Sequence, residues 1–256
     1  MLRFSVVDFL NARPLTWGLL REPPPGVEVS RDAPSVCAAR LAAGEADVGL
    51  IPSIEYPRIP GLKVVAGLGI AAASEVRSVL LVSNVSREKI RSVGLDPASR
   101  TSAVLTRLLL KRRYGVEPEY GPPGSETDAS LVIGDPALKA QLNGHVVLDL
   151  AAEWRAFSGH SFVFAFWAIR PGVEEGEAAR VVEASREAGR RDFSALVEAE
   201  AARAGLSEAV VEDYLRHSLH YELDADDLAG LDLFYRLAAE DGLIDHPRPL
   251  DFARTS

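Results

Sequence analysis

The sharpest local feature of this chain is Ser99-Arg100-Thr101-Ser102, three hydroxyls and a guanidinium at the start of its best helical pattern. Free N–H groups and the helix dipole favour negative charge at such a place, so the cluster suits a carboxylate or a phosphate. It is not a P-loop, because neither the glycine spacing nor a Gly-Lys-Ser/Thr ending is present. Asn11 lies in the loop after the first apolar run, just before Pro14, which suits the first turn of a helix. Its amide both donates and accepts, as a ligand with hydroxyl and carboxylate groups requires, although a plain turn or cap explains the residue as well. Ser53 follows another apolar run and could cap a short helix while offering its hydroxyl to an anion; capping alone is the simpler reading. Gly134 permits close approach of backbone to a ligand, and Asp135 is expected to cap a helix beginning at Pro136. Arg77 and Ser78 alternate between cleft and bulk on an extended segment, and parity does not choose between them.

Other catalytic patterns are missing from the sequence. It has no Gly-x-Ser-x-Gly elbow and no His-Glu-x-x-His zinc motif. Cys37 is the one cysteine, which excludes an intrachain disulfide framework and a cysteine-based zinc cluster; it reads as a small core residue. His217 and His220 have metal-like spacing, but in an acidic helical region they are expected to be solvated or partly packed. His145 and His160 lie in loops without a nearby nucleophile pattern, and no metal site is expected.

The net charge of −9 is uneven: residues 1–173 sum to +2 and residues 174–256 to −11. An anionic ligand would meet a nearly neutral front half, and the acidic back half reads as solvated helix surface. No basic stripe with interleaved aromatics suggests nucleic acid. The longest apolar run, residues 162–169, is far short of the roughly 18 residues of a membrane span. The first eight residues carry one basic side chain, and Asp8 interrupts their apolar stretch too early for a signal-peptide core, so the expected location is cytoplasmic.

The scaffold that must position these residues is α/β. Hydrophobic residues make up 47% and charged residues 25%, as in folded globular chains. Short β-branched runs at 4–7, 27–30, 47–51 and 63–66 alternate with helical patterns at 15–20 and 35–43, which predicts a parallel sheet. A second series follows, with strands at 92–95, 117–120, 130–133 and 146–148 and helices at 102–114, 136–142 and 151–157. Stretches 67–83 and 161–170 read as two extended crossings between lobes, and the remainder as helices near 175–204, 207–219 and 225–241. Asp224 and Asp227 form a near capping box for the last of these. The expected division is lobe 1 from 1–76 plus 168–256 and lobe 2 from 77–167, with the ligand in the cleft beyond the carboxyl ends of the strands.

Six pieces, taken in order, resemble one family. They are Val7-Asp-Phe-Leu-Asn-Ala-Arg-Pro-Leu15, Asp47-Val-Gly-Leu-Ile-Pro-Ser-Ile-Glu-Tyr56, Ser78-Val-Leu-Leu-Val-Ser83, Ser99-Arg-Thr-Ser102, Ile133-Gly-Asp-Pro-Ala-Leu138 and Phe162-Val-Phe-Ala-Phe-Trp167. Over nearly its whole length the chain is similar to the chorismate dehydratases, the lyases that open the futalosine route of menaquinone biosynthesis. One stretch departs: Gly159-His160-Ser161 stands where a Gly-Leu-Pro type turn is expected. The resemblance implies a periplasmic-binding-protein-like (type II) fold with two hinge crossings and a helical C-terminal region. It implies a hydro-lyase that converts chorismate to 3-[(1-carboxyvinyl)oxy]benzoate and water, with a small molecule as its partner and no metal or organic cofactor.

A chorismate dianion needs two anion-holding places. Residues 99–102 are the candidate for one and Ser53 for the other, with Gly134 and Asp135 also assigned to substrate binding. Asn11 and Ser78 are the candidate catalytic residues, orienting the substrate while its own enolpyruvyl carboxylate takes the proton. Two readings stand beside this one: a non-catalytic binding protein for a small carboxylate, and the related 1,4-dihydroxy-6-naphthoate synthase, which should carry a catalytic histidine. A sensory ligand-binding module is a third, without an attached signalling domain.

Overall fold

The computed structural model describes residues 1–124 and 126–254. The chain begins β1 (Leu2–Val7), α1 (Arg13–Arg21), β2 (Val27–Asp32), α2 (Pro34–Ala42), β3 (Val48–Pro52) and β4 (Lys63–Ala72). It continues through β5 (Val79–Ser83), β6 (Ser92–Gly94), α3 (Arg100–Tyr114), β7 (Glu119–Gly121), β8 (Ala129–Ile133), α4 (Asp135–Lys139), β9 (Val146–Asp149) and α5 (Leu150–Ser158). It ends with β10 (Phe162–Ile169), α6 (Glu175–Arg191), α7 (Phe193–Ala204), α8 (Glu208–Asp213), β11 (His220–Glu222) and α9 (Ala225–Glu240).

Two sheets form, as the two series of strands lead one to expect. The first has the order β11-β4-β10-β3-β1-β2 and the second β7-β6-β8-β5-β9. Strands β1, β2 and β3 are mutually parallel, but β10 enters between β3 and β4 antiparallel to both, so the first sheet is mixed. The second sheet is mixed in the same way, with β6 parallel to β7 and β8 and β5 antiparallel to β8 and β9.

Strand β10 explains its own sequence. All eight of its residues are buried, because it is covered on both edges and both faces, and such a strand is uniformly apolar rather than alternating. It also moves a boundary. Residues 162–167 were expected in lobe 2, yet their ladder partners are Ile51, Pro52, Gly69 and Ala71 of the first sheet. The return crossing is therefore residues 159–161, and the outward crossing is residues 73–78 rather than one extended run over 67–83. The helix expected over 175–204 is two, α6 and α7, which share Asp192 as a non-helical cap.

Helix ends follow the local chemistry. Gly115 closes α3 at φ 66°, donating to the carbonyls of Leu110 and Lys111. Asp224 and Asp227 complete the capping box of α9. Helix α1 lies tightly on α6: a Cβ at Gly189 would sit 2.3 Å from the Pro14 carbonyl oxygen. Ser185 Oγ enters the α1 ladder, accepting from Leu19 N–H at 3.0 Å and donating to the Leu15 carbonyl at 2.9 Å. This packing fixes the helix that follows Asn11.

Candidate functional site

A cavity of about 70 Å³ opens between the two sheets. Its floor is apolar, from Val7, Ile70, Val79, Ile133, Phe164 and Ala165. Segments just past β1 and β2 supply Phe9, Asn11 and Pro34, the last residue of β3 supplies Pro52, and the outward crossing supplies Ser78. From the opposite lobe come Gly134, after β8, and residues 98–102 at the start of α3. This is the placement expected of an open α/β sheet, beyond the carboxyl ends of its strands. The apolar members were not singled out from the sequence. Phe9 had a usable signal, since it lies two residues past β1 in the loop that carries Asn11.

Asn11 sits in a 3₁₀ turn, Leu10–Ala12. Its Oδ1 is buried and accepts no hydrogen bond from the described residues. Such an atom in a cavity wall calls for a donor on the ligand. The turn is braced from below by Arg13, which is 1% exposed, donates Nε to Glu200 Oε1 at 2.9 Å and pairs with Asp8.

Asp135 does something other than cap α4. The N-cap position is Gly134, at φ 66° and ψ −148°, backbone that essentially only glycine adopts. Instead Asp135 Oδ1 accepts from Leu10 N–H at 3.1 Å and Oδ2 from Arg203 at 3.1 Å. Both oxygens are therefore committed to the opposite lobe, and Asp135 does not line the cavity. It holds the turn that carries Asn11.

Ser53 is likewise corrected. It is fully buried, donates Oγ to the Val163 carbonyl at 2.8 Å and does not line the cavity. A backbone carbonyl of the adjacent central strand satisfies it before any ligand could. Its neighbour Ile54 reaches across the cleft, donating N–H to Thr101 Oγ1 at 3.3 Å.

Residues 99–102 do come together at the cleft. The first intrahelical bond of α3 runs from Ala103 N–H to the Ser99 carbonyl, so the preceding N–H groups project from the helix end. Ser99, Thr101 and Ser102 are buried in the wall, with no side-chain cap across the helix start. Arg100 is the one ionisable side chain among the described lining residues. It donates to Glu55 Oε2 at 2.9 Å, while Arg58 donates to Glu55 Oε1 at 2.8 Å. One carboxylate thus serves two guanidiniums, leaving net positive charge beside the helix terminus.

Ser78 faces the cavity, which settles the parity that its sequence left open; Arg77 does not line it. The Ser78 hydroxyl accepts from Tyr214 and its carbonyl accepts from Gly134 N–H at 2.8 Å. Asp149 fixes the crossing by accepting from the N–H groups of Val76 and Arg77 at 3.1 and 2.6 Å; burial pushes its carboxyl up against those bonds.

The remaining titratable residues lie elsewhere. His160 pairs with Asp226 at 2.6 Å, His220 Nε2 with Asp227 at 2.9 Å and His217 with Asp213 at 3.1 Å. Gly159, His160 and Ser161 make the return crossing, where Ser161 Oγ is bonded to Asp227. Cys37 is fully buried, and burial pushes its thiol up to about 12.

A family model described as menaquinone biosynthesis matches residues 2–240. A chorismate dehydratase of Thermus thermophilus is 30% identical over 253 residues, covering 88% of this chain and 91% of that protein. A chorismate dehydratase of Campylobacter jejuni is 32% identical over 168 residues, covering 63% of this chain and 65% of that protein. Among solved structures, a protein of Archaeoglobus fulgidus superposes with a TM-score of 0.74 at 18% identity, covering 94% of this chain and 98% of that one. The periplasmic aliphatic sulphonate binding protein of Escherichia coli does so with a TM-score of 0.66 at 17% identity, covering 100% of this chain and 94% of that one. The fold is periplasmic-binding-protein-like.

Proposed function

This chain belongs to the menaquinone-biosynthesis family, and on that premise we propose that it is a chorismate dehydratase, converting chorismate to 3-[(1-carboxyvinyl)oxy]benzoate and water. We place it in the cytoplasm, on the futalosine route. The observation that carries the reading is the character of the cavity wall. Among the described lining residues there is no Asp, Glu, His, Lys, Cys or Tyr, so no side chain there is suited to take a proton from carbon.

A dehydration that aromatises its substrate can proceed in such a site if the substrate brings its own base. The enolpyruvyl carboxylate takes the proton from the ether-bearing ring carbon. The C–H electron pair becomes ring π density as the neighbouring hydroxyl departs, and that hydroxyl collects the proton to leave as water. The protein positions the two ends and steadies the charge that develops between them. Residues 99–102 and Arg100's surplus charge hold one carboxylate. Asn11 and Ser78 bring an amide and a hydroxyl to the ring, and Phe9 and Phe164 offer it flat apolar surface.

The absence of histidine from the described lining favours this reading over the naphthoate synthase. Incubating the purified protein with chorismate alone tests it: one aromatic product should form for each chorismate lost. Chorismate bound but recovered unchanged would identify a binding protein instead.

A further inference from the structure

Ser78 is gripped from behind by a residue outside the cavity. Tyr214 is 1% exposed, lies in a π turn spanning Tyr214–Ser218, and donates its hydroxyl to Ser78 Oγ at 2.6 Å. Single π turns are rare and often sit at functional sites. Next to Ser78, Arg77 has φ 61°, the one non-glycine residue at positive φ among the described residues. That backbone is unfavourable for a bulky side chain and persists only where its surroundings enforce it. Here Asp149 holds the backbone by accepting from Arg77 N–H, and the same π turn and the residue before it hold the side chain. Arg77 Nε donates to Ser218 Oγ at 2.8 Å, and its Nη2 lies 2.8 Å from Asp213. Two uncommon backbone features, far apart in sequence, thus meet at one hydroxyl.

We propose that Tyr214 is a positioning residue for the reaction, fixing Ser78 Oγ and occupying one of its lone pairs so that the serine proton is donated into the cleft. A hydroxyl carries one proton and two lone pairs. With Tyr214 as donor, the Ser78 proton cannot be directed back at the phenol, and the cavity is the open side. Burial raises the Tyr214 phenol well above the ordinary tyrosine value, so it stays a donor at any working pH. Tyr214 touches no reacting atom and acts through Ser78. The inference rests on the dehydratase reading, in which a fixed donor serves the departing hydroxyl or the charge that develops on the ring carboxylate.

Tyr214→Phe, Ser78→Ala and the double variant test it. The phenylalanine removes one oxygen and keeps the packed ring. Its kcat for chorismate should fall about tenfold, the scale of one lost hydrogen bond, with KM within about threefold. Ser78→Ala should fall at least as far, and the double variant no further than Ser78→Ala. An unchanged kcat in Tyr214→Phe, or losses that multiply in the double variant, would overturn the proposal. Should Tyr214→Phe not fold, Ser218→Ala frees Arg77 from the turn and should lower kcat in the same direction at unchanged KM; an unaltered kcat counts against the proposal. A readout independent of turnover is the Ser78 side-chain rotamer in crystal structures of wild type and Tyr214→Phe. It should change with the loss of the phenol, and a retained rotamer would reject the positioning role. If the wild type leaves chorismate untouched, the dehydratase reading fails, and the rotamer still judges the inference.

Discussion

Asn11 is a small residue with a large expected effect. Its buried Oδ1 meets no donor from the described residues, so its role is to be completed by a ligand. Replacing it with alanine should lower kcat about 100-fold, the scale for one lost group that stabilises developing charge, while KM changes little. Steady-state kinetics with chorismate checks this, and equal small effects on both constants would mark an ordinary loop asparagine. Arg13 tests the support beneath it. Arg13→Leu leaves Glu200, 6% exposed, with Arg203 as its remaining cation. Breaking such a buried pair costs about 3 kcal/mol, to be read from chemical denaturation. The sequence pointed to Asn11, Ser78 and residues 99–102 through residue type and position after strands. It misassigned Ser53 and Asp135 because their true partners, Val163 and the pair Leu10 and Arg203, lie 68 or more residues away. Local cap patterns look the same whether or not such a partner exists.

Elements were legible where their pattern was long or their caps were chemical. The apolar period of α3 with Gly115 behind it, and the acidic pair at the start of α9, fixed those helices to within two residues. β11 was not legible, being three residues on a sheet edge, and nothing in Tyr214–Ser218 announces a π turn. The junction of β11 and α9 should be pH-sensitive. Hydrogen bonding to Asp227 raises His220 above its ordinary 6.5, and burial of Asp227 is outweighed by bonds to His220 and Ser161, which hold that carboxyl low. A raised histidine contributes stability that is fully present below 6.5 and is lost as pH climbs through the folded value. The melting temperature of wild type minus that of His220→Gln should therefore be greatest near pH 5.5 and shrink toward pH 9. A difference that grows with pH would contradict the pairing.

Over the whole molecule, two lobes are tied together across the cleft by Asp135, by Arg100 with Glu55, and by Thr101 with Ile54. The two strand–helix series made two sheets legible, but not where β10 returns, since a uniformly apolar strand suits either sheet. Asp135→Ala removes two bonds between lobes at once. It should enlarge the radius of gyration of the free protein in X-ray scattering and raise KM about tenfold; unchanged scattering would show that Asp135 does not govern closure.

No described residue of the cavity wall can act as the base, so the substrate must supply its own, and the pH dependence of kcat for chorismate tests this. Between pH 6 and 9, roughly the range where a protein base such as histidine would titrate, we expect steady formation of the enolpyruvyl benzoate with a flat profile. An inflection inside that range, abolished by replacing a single side chain, would contradict it.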